Sequence, residues 1–229
     1  MKTIIVTGAS GNLGQAVVKK FLAENYFVSG TVIPNDTVKI NIDNKNFESS
    51  VVDLLNDGAA GKFTEKLIAD HGKIDAAVLT AGGFAMGKIA DTKASDILKQ
   101  YQLNFETAYN LARHVFVQMM KQGSGRIFLT GSRPGYHMKN SNGMVAYGLS
   151  KSLIFRLAEL MNQEAKGTNV VVSVIVPSTI DTLANRKSMP DADFSKWVSP
   201  EAIADIIYFH CSDEASILRE PVIKVYGNS

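Results

Sequence analysis

A tyrosine and a lysine lie four residues apart in the segment YGLSK, at Tyr147 and Lys151. At this spacing two side chains share one face of a helix, so the ammonium group can lie near the phenol. A free tyrosine has a pKa of about 10, and a neighbouring positive charge favours the phenolate. The pair could therefore donate and accept a proton. The alternative is an ordinary pair of surface residues.

Two further polar residues could act on the same substrate. Ser132 ends the apolar segment GRIFLTGS, and α/β sheets place their ligands at the ends of such strands. Its hydroxyl could polarise a substrate, or it could serve ordinary turn chemistry. Asn104 interrupts an otherwise apolar helical stretch. It could organise a water molecule beside Lys151, or it could distort the helix locally.

The chain opens on a short apolar segment followed by TGASGNLG, with glycines at Gly8, Gly11 and Gly14. Between a strand and a helix, the first glycine permits a tight turn, the second admits a pyrophosphate, and the third allows close packing of the helix on the sheet. The start of the helix then offers free N–H groups to the phosphates. This context favours a dinucleotide site over a purely structural turn.

The residues that would identify the dinucleotide give no clear answer. Such sites usually carry an acid at the end of the second strand, but Val32 stands there, and Asp36 comes slightly later. No arginine or lysine is placed for a 2′-phosphate either, so NADH and NADPH both stay open. Asp53 is placed to bind an adenine amino group or to cap a helix. Ala81 and Gly82 form a turn that could pass close to the cofactor ribose.

Apolar strand-like segments alternate with helical ones along the chain, which predicts an α/β fold with a doubly wound, mostly parallel sheet. We expect one domain over residues 1–229 with seven strands. The predicted strands are 2–7, 26–33, 49–54, 74–83, 125–132, 169–177 and 221–227, and the predicted helices are 13–24, 60–71, 95–121, 144–164 and a helix after Pro200.

Residues 178–199 carry no clear periodicity. Segments of this length without regular structure are usually lids or binding loops. We therefore expect a substrate-binding lid, with a plain surface loop as the alternative.

Composition excludes several classes of protein. The 229 residues are 45 % apolar and 20 % charged, which is typical of a globular domain. A net charge of +2 without a basic cluster argues against nucleic acid as a partner. A single cysteine, Cys211, fits a reducing compartment, and no apolar run reaches membrane-span length, so we expect a cytoplasmic protein. The four histidines are scattered, so no metal site is expected.

Together these motifs resemble the short-chain dehydrogenase/reductase family. The resemblance rests on TGASGNLG, Asp53, the Ala-Gly-Gly turn, Asn104, Ser132, YGLSK, and PSTIDT at 177–182. It implies a Rossmann domain in which Tyr147 is the general acid and Lys151 lowers its pKa and holds the nicotinamide ribose. Asn104 would support a relay water, and Ser132 would orient the substrate.

The same resemblance implies further contacts and partners. A homodimer or homotetramer would form through the helical stretches 95–121 and 144–164, and the substrate would be a small molecule. Thr182 would contact the carboxamide of the cofactor. NADH or NADPH would be bound by Gly8, Ser10, Gly11, Asn12, Leu13, Gly14, Asp53, Leu54, Ala81, Gly82, Tyr147, Lys151, Pro177, Thr179 and Thr182.

One branch of the family is matched more closely. The segment DTLANRKSMPDADFSKW at 181–197 and the sequence AGGF resemble dihydropteridine reductases. This implies reduction of a quinonoid dihydropterin to a tetrahydropterin. Trp197 and Phe194 could close over a flat ring, or they could anchor the loop. The substrate contacts implied are Phe84, Asn185, Met189 and Trp197.

The chain also departs from that branch, because Val32 replaces its usual acid and Ser132 is a serine that it tends to lack. A carbonyl or alcohol oxidoreductase with a non-pterin substrate is therefore the alternative. A catalytically inactive nucleotide-binding homologue is a third hypothesis, and the presence of both Tyr147 and Lys151 argues against it.

Overall fold

The computed structural model describes residues 1–38, 40–139 and 141–228. The described residues form a seven-stranded sheet in the order β3-β2-β1-β4-β5-β6-β7, and each neighbouring pair is parallel. This confirms the predicted doubly wound α/β sheet. The strands are β1 (Thr3–Thr7), β2 (Phe27–Val32), β3 (Phe47–Val51), β4 (Ala76–Leu79), β5 (Ser124–Thr130), β6 (Asn169–Pro177) and β7 (Val222–Val225).

In the described residues, one or two helices follow each strand except β2 and β7. The helices are α1 (Asn12–Ala23), α2 (Asp57–His71), α3 (Ala94–Tyr101), α4 (Thr107–Gln122), α5 (Arg133–Tyr136), α6 (Val145–Glu164), α7 (Leu183–Ser188) and α8 (Pro200–His210). A π-helical segment (Gln102–Glu106) joins α3 to α4, and a 3-10 turn (Phe194–Lys196) follows α7.

Two apolar layers enclose the sheet. On one face, α1 and α8 supply fully buried side chains such as Phe21 and Ile203. On the other face, α2, α4 and α6 do so with side chains such as Leu67, Leu111 and Ile154. The central strands are mostly apolar because both of their faces are covered.

The carboxyl ends of the central strands meet at one edge of the sheet. Thr7 of β1 pairs with Thr31 of β2 and with Leu79 of β4, and Leu79 pairs with Leu129 of β5. The strand order reverses between β1 and β4, and in open α/β sheets ligands bind in the crevice at such a switch point.

The structure corrects several predicted boundaries. The third strand is Phe47–Val51 rather than 49–54, so Asp53 lies beyond its end. The helical stretch 95–121 is divided by the π-helical segment around Asn104. The short helix α5 was not predicted, because four residues are too few to show helical periodicity.

Residues 178–199 are more regular than their sequence indicates. They contain α7 and the 3-10 turn, and their two ends are joined by a bridge between Ile180 and Val198. In the described part of the chain, no helix combines the length and the apolar character that a membrane span requires.

Candidate active site

The turn between β1 and α1 is shaped by its glycines. Gly8 has a φ of +59°, which side chains other than glycine rarely adopt. A Cβ atom at Gly14 would lie 2.1 Å from the carbonyl oxygen of Gly8. Gly11 is the N-cap of α1 and brings no side chain to the first-turn N–H groups, which include those of Asn12 and Leu13. Uncapped N–H groups beside a tight, open turn fit the pyrophosphate of a dinucleotide.

We expect Gly14→Ala to abolish cofactor binding and to lower the free energy of unfolding by about 2 kcal/mol, because backbone atoms must move to admit the methyl group. Urea unfolding and titration with NADH measure the two effects. Gly58→Ala, near the start of α2, is the matched control, since its Cβ would meet only the Asn56 side chain at 3.3 Å. Wild-type stability and binding in Gly14→Ala would contradict the close approach.

The turn after β4 is fastened to the glycine turn. The Thr80 hydroxyl donates to the Thr7 carbonyl at 2.6 Å, and the Ala81 N–H donates to the Thr7 hydroxyl at 3.1 Å. The structure therefore brings the predicted cofactor residues Ala81 and Gly82 next to the predicted pyrophosphate turn.

The Asn104 side chain holds the turn after β4 by two hydrogen bonds to the backbone of Gly83. It lies buried in the π-helical segment, where its amide oxygen accepts from the Gly83 N–H at 2.9 Å and its amide nitrogen donates to the Gly83 carbonyl at 3.0 Å. The amide nitrogen also lies within 3.2 Å of acceptors on Gln100 and Ser150. The predicted local distortion of the helix is present. Protein acceptors surround the amide nitrogen, whereas the amide oxygen accepts one hydrogen bond from Gly83 and keeps a second lone pair for the predicted water.

Lys151 lies under the site with its side chain buried in α6. Its ammonium group donates to the Thr130 carbonyl at the end of β5, at 2.7 Å. Burial lowers the pKa of Lys151 to about 8. A Cβ atom at Gly82 would lie 3.4 Å from the Lys151 nitrogen, so the lysine also reaches the turn after β4. Sequence reasoning missed the Thr130 carbonyl, because a backbone acceptor has no residue-type signal.

Tyr147 lies one helical turn before Lys151 and is partly buried. Burial raises the pKa of its hydroxyl, and a hydrogen bond with the Ser132 side chain opposes that rise. The exposed Phe84 ring meets the Tyr147 ring edge to face, with centroids 4.9 Å apart. The structure thus brings together Tyr147, Ser132 and Phe84, three residues far apart in the sequence.

Ser132 is positioned by the short helix α5. It is the N-cap, and its hydroxyl accepts from the Gly135 N–H at 3.2 Å. A Cβ atom at Gly135 would lie 2.6 to 2.8 Å from atoms of Lys151, so α5 packs directly on the lysine backbone. The predicted turn chemistry is therefore present, and the hydroxyl proton stays available to Tyr147 or to a ligand.

Two predicted cofactor contacts lie beyond β3, the adenine contact Asp53 and its neighbour Leu54. Asp53 is exposed and accepts from the Leu55 N–H at 3.0 Å, whereas Asn56 caps α2 by accepting from the Ala59 N–H at 3.0 Å. The helix-capping alternative for Asp53 is therefore wrong, because the helix begins three residues later than that interpretation needs. Leu54 is buried, and its carbonyl accepts from the Asn110 amide at 2.9 Å.

Of the three predicted cofactor contacts after β6, Thr179 and Thr182 form hydrogen bonds with residues of the segment 178–199. Pro177 ends the strand, and the Thr179 carbonyl accepts from the Val198 N–H at 3.1 Å. Thr182 caps α7 by accepting from the Asn185 N–H at 3.2 Å.

The three predicted substrate contacts in residues 178–199 differ in their surroundings. The Asn185 amide donates to the Ile180 carbonyl at 2.8 Å. Met189 is exposed. The Trp197 ring lies against the Phe194 ring, with centroids 4.8 Å apart, as an anchoring pair would.

Comparison with known proteins agrees with this geometry. The model of the short chain dehydrogenase family matches residues 2–193. An acetoacetyl-CoA reductase from Acinetobacter sp. is 29 % identical over 99 % of this chain and 96 % of its own length. A dihydropteridine reductase from Dictyostelium discoideum is 28 % identical over 90 % of this chain and 86 % of its own.

A solved aldohexose dehydrogenase from Thermoplasma acidophilum has the same fold, with a TM-score of 0.85 and 21 % identity over 99 % of this chain and 93 % of that one. The family match covers most of the chain, and the family implies NADH or NADPH as the cofactor. The chain belongs to the short-chain dehydrogenase family of oxidoreductases.

Proposed function

We propose that this protein reduces a small electrophilic substrate with NADH or NADPH, with Tyr147 as the proton donor. The observation that carries the proposal is the hydrogen bond between the Tyr147 and Ser132 side chains, one helical turn before the buried Lys151, whose ammonium group reaches the turn after β4. The third hypothesis, an inactive homologue, is not favoured, because the chain has both Tyr147 and Lys151.

The roles of the residues follow from their surroundings. When bound, the reduced nicotinamide supplies a hydride to the substrate. Burial keeps Tyr147 protonated at neutral pH, so its hydroxyl can deliver the proton that balances the hydride. The Lys151 ammonium stabilises the phenolate left behind and can hold a ribose hydroxyl. The Ser132 hydroxyl, close to that of Tyr147, orients the atom that accepts the proton.

We propose a quinonoid dihydropterin as the substrate. Two observations support this choice: the relative named as a dihydropteridine reductase, and the exposed Phe84 ring beside Tyr147, which offers a flat apolar wall to a flat ring. In this proposal residues 178–199 form the lid, and Asn185, Met189 and Trp197 contact the substrate as it closes.

A ketone is the second candidate, and Ser132 favours it. A carbonyl substrate needs a hydrogen-bond donor beside the acid to polarise its oxygen, and the Ser132 hydroxyl lies where such a donor would act. The relative named as an acetoacetyl-CoA reductase supports this candidate.

The two candidates are separated by the rate at which reduced nicotinamide is oxidised. We expect turnover with freshly generated quinonoid dihydrobiopterin and slower turnover with acetoacetyl-CoA. Phe84→Leu should raise KM for the pterin by about fivefold, which is the loss expected from one aromatic contact. The KM for acetoacetyl-CoA should change little. Turnover of the ketone alone would contradict the pterin proposal, and turnover of neither would contradict both.

We also propose a homodimer or homotetramer that forms through the stretches 95–121 and 144–164, which include α4 and α6. Exposed apolar side chains on both helices support it, among them Val117 on α4 and Leu149, Leu153 and Leu160 on α6. A monomer in sedimentation analysis would contradict it.

A further inference from the structure

The second strand ends without an acid, but the turn that follows it supplies one. Val32 is the last residue of β2, and the Asp36 N–H donates to the Ile33 carbonyl at 3.2 Å, which closes a tight turn. Pro34 and Asn35 occupy the two central positions, and Asn35 has a φ of +62°. Proline followed by a residue with positive φ is the pattern of a type II turn. The turn reverses the chain and carries Asp36 back toward the sheet.

The Asp36 carboxylate contacts the glycine turn directly. One carboxylate oxygen accepts from the Ser10 hydroxyl at 2.5 Å, and the other accepts from the Val38 N–H at 2.8 Å. The glycine turn is itself fixed to β2, because the Ala9 N–H donates to the Thr31 carbonyl at 3.0 Å. Asp36 therefore lies at the junction between the glycine turn and the end of β2.

This junction lies at the end of the second strand, where the adenosine half of a dinucleotide would bind. With the pyrophosphate on the glycine turn, the adenosine ribose lies over the end of the second strand. An open cavity of about 410 Å³ lies beside Asp36 and the ends of β2 and β3, lined in part by Val32, Asp36, Val38 and Val51. A ligand thus has room beside the carboxylate.

The charge at this position discriminates between the two cofactors. The hydrogen bond from Ser10 and that from the Val38 N–H hold the pKa of Asp36 below its usual range, so it is ionised at neutral pH. An ionised carboxylate accepts hydrogen bonds from ribose hydroxyls but repels the dianionic 2′-phosphate of NADPH. Within the described residues Asp36 forms no ion pair, and Lys39 lies outside them.

We propose that Asp36, held by Ser10, takes the place of the missing acid at Val32 and makes this protein select NADH over NADPH. The inference rests on the proposed cofactor site at the glycine turn. It assigns a specificity role to a residue that lies outside the strand end where the acid normally stands.

Binding measurements without substrate test the inference. We expect calorimetric titration of the wild-type protein to give tighter binding of NADH than of NADPH. Asp36→Asn should tighten NADPH binding by about tenfold, since it removes the charge repulsion, and weaken NADH binding by about fivefold, since it replaces a charged acceptor with a neutral one. Titration with AMP and with adenosine 2′,5′-bisphosphate should show the same reversal, because the effect lies at the adenosine end.

Two further variants sharpen the test. Asp43→Asn removes the same charge from the same connection, but its exposed side chain is not among those hydrogen-bonded to the glycine turn, so the preference should not change. Ser10→Ala removes the hydroxyl that holds Asp36 and should reduce the preference for NADH without reversing it.

Several results would overturn the inference. An unchanged preference in Asp36→Asn would do so, as would equal effects in Asp43→Asn. Tighter NADPH binding in the wild type that is lost in Lys39→Gln would assign the opposite preference. Failure of both cofactors to bind the wild type would instead overturn the proposed function itself, and this inference with it.

Discussion

Replacing Tyr147 with phenylalanine is expected to lower kcat by about a thousandfold with either substrate class, because a positioned general acid commonly contributes that much. The variant removes one oxygen atom and keeps the ring that meets Phe84 edge to face. The affinity for the cofactor should change little, since the pyrophosphate turn and Lys151 are untouched. Steady-state kinetics with NADH and titration of the cofactor measure the two quantities.

Tyr109→Phe is the control for this prediction. Tyr109 is an exposed tyrosine on α4 that stacks on Phe105, so loss of its hydroxyl should leave kcat unchanged. If Tyr147→Phe retained wild-type kcat, the proton would have to come from elsewhere, and the proposed role of Tyr147 would be wrong. A loss of cofactor affinity equal to the loss of kcat would indicate a positioning role instead.

The sequence predicts the parts of this molecule that depend on local pattern. Apolar strands between amphipathic helices predict a doubly wound, mostly parallel sheet, because a strand buried on both faces shows this in its composition. The glycine turn is also predictable from local sequence. Gly8, Gly11 and Gly14 each lie where a side chain would meet backbone atoms, so the turn requires glycine at these positions. The YGLSK spacing likewise places Tyr147 and Lys151 on one helix without reference to the rest of the fold.

The contacts that set the chemistry of the site depend instead on residues distant in sequence. Asn104 grips Gly83 across 21 positions, and Ser10 meets Asp36 across 26. No periodic pattern in the sequence indicates either contact, because each joins two elements that only the folded sheet brings together. The sequence shows Asp36 shortly after Val32, in the turn IPND, but only the fold shows that its carboxylate meets Ser10 of the glycine turn.

Lys151→Met is the second large effect that we expect. The substitution keeps the apolar part of the side chain but removes the ammonium group that donates to the Thr130 carbonyl. Without this cation the Tyr147 phenolate loses its stabilisation, and kcat/KM should fall by about a hundredfold.

The wild-type activity in the direction of reduction should decline above about pH 8, the pKa of Lys151. The variant should lack that decline.

The same residue makes stability depend on pH with a definite sign. The pKa of Lys151 is about 8 in the folded protein against 10.5 when unperturbed, so between these values the unfolded chain binds more protons. The unfolding free energy of the wild type should therefore rise relative to that of Lys151→Met by about 2 kcal/mol between pH 7 and pH 9.5. Urea unfolding of both proteins across this range measures it. Lys99→Met, on α3 with an exposed side chain, should show no such rise. A difference that stays flat with pH would mean that burial does not depress the pKa of Lys151, and the decline in activity would then need another titrating group.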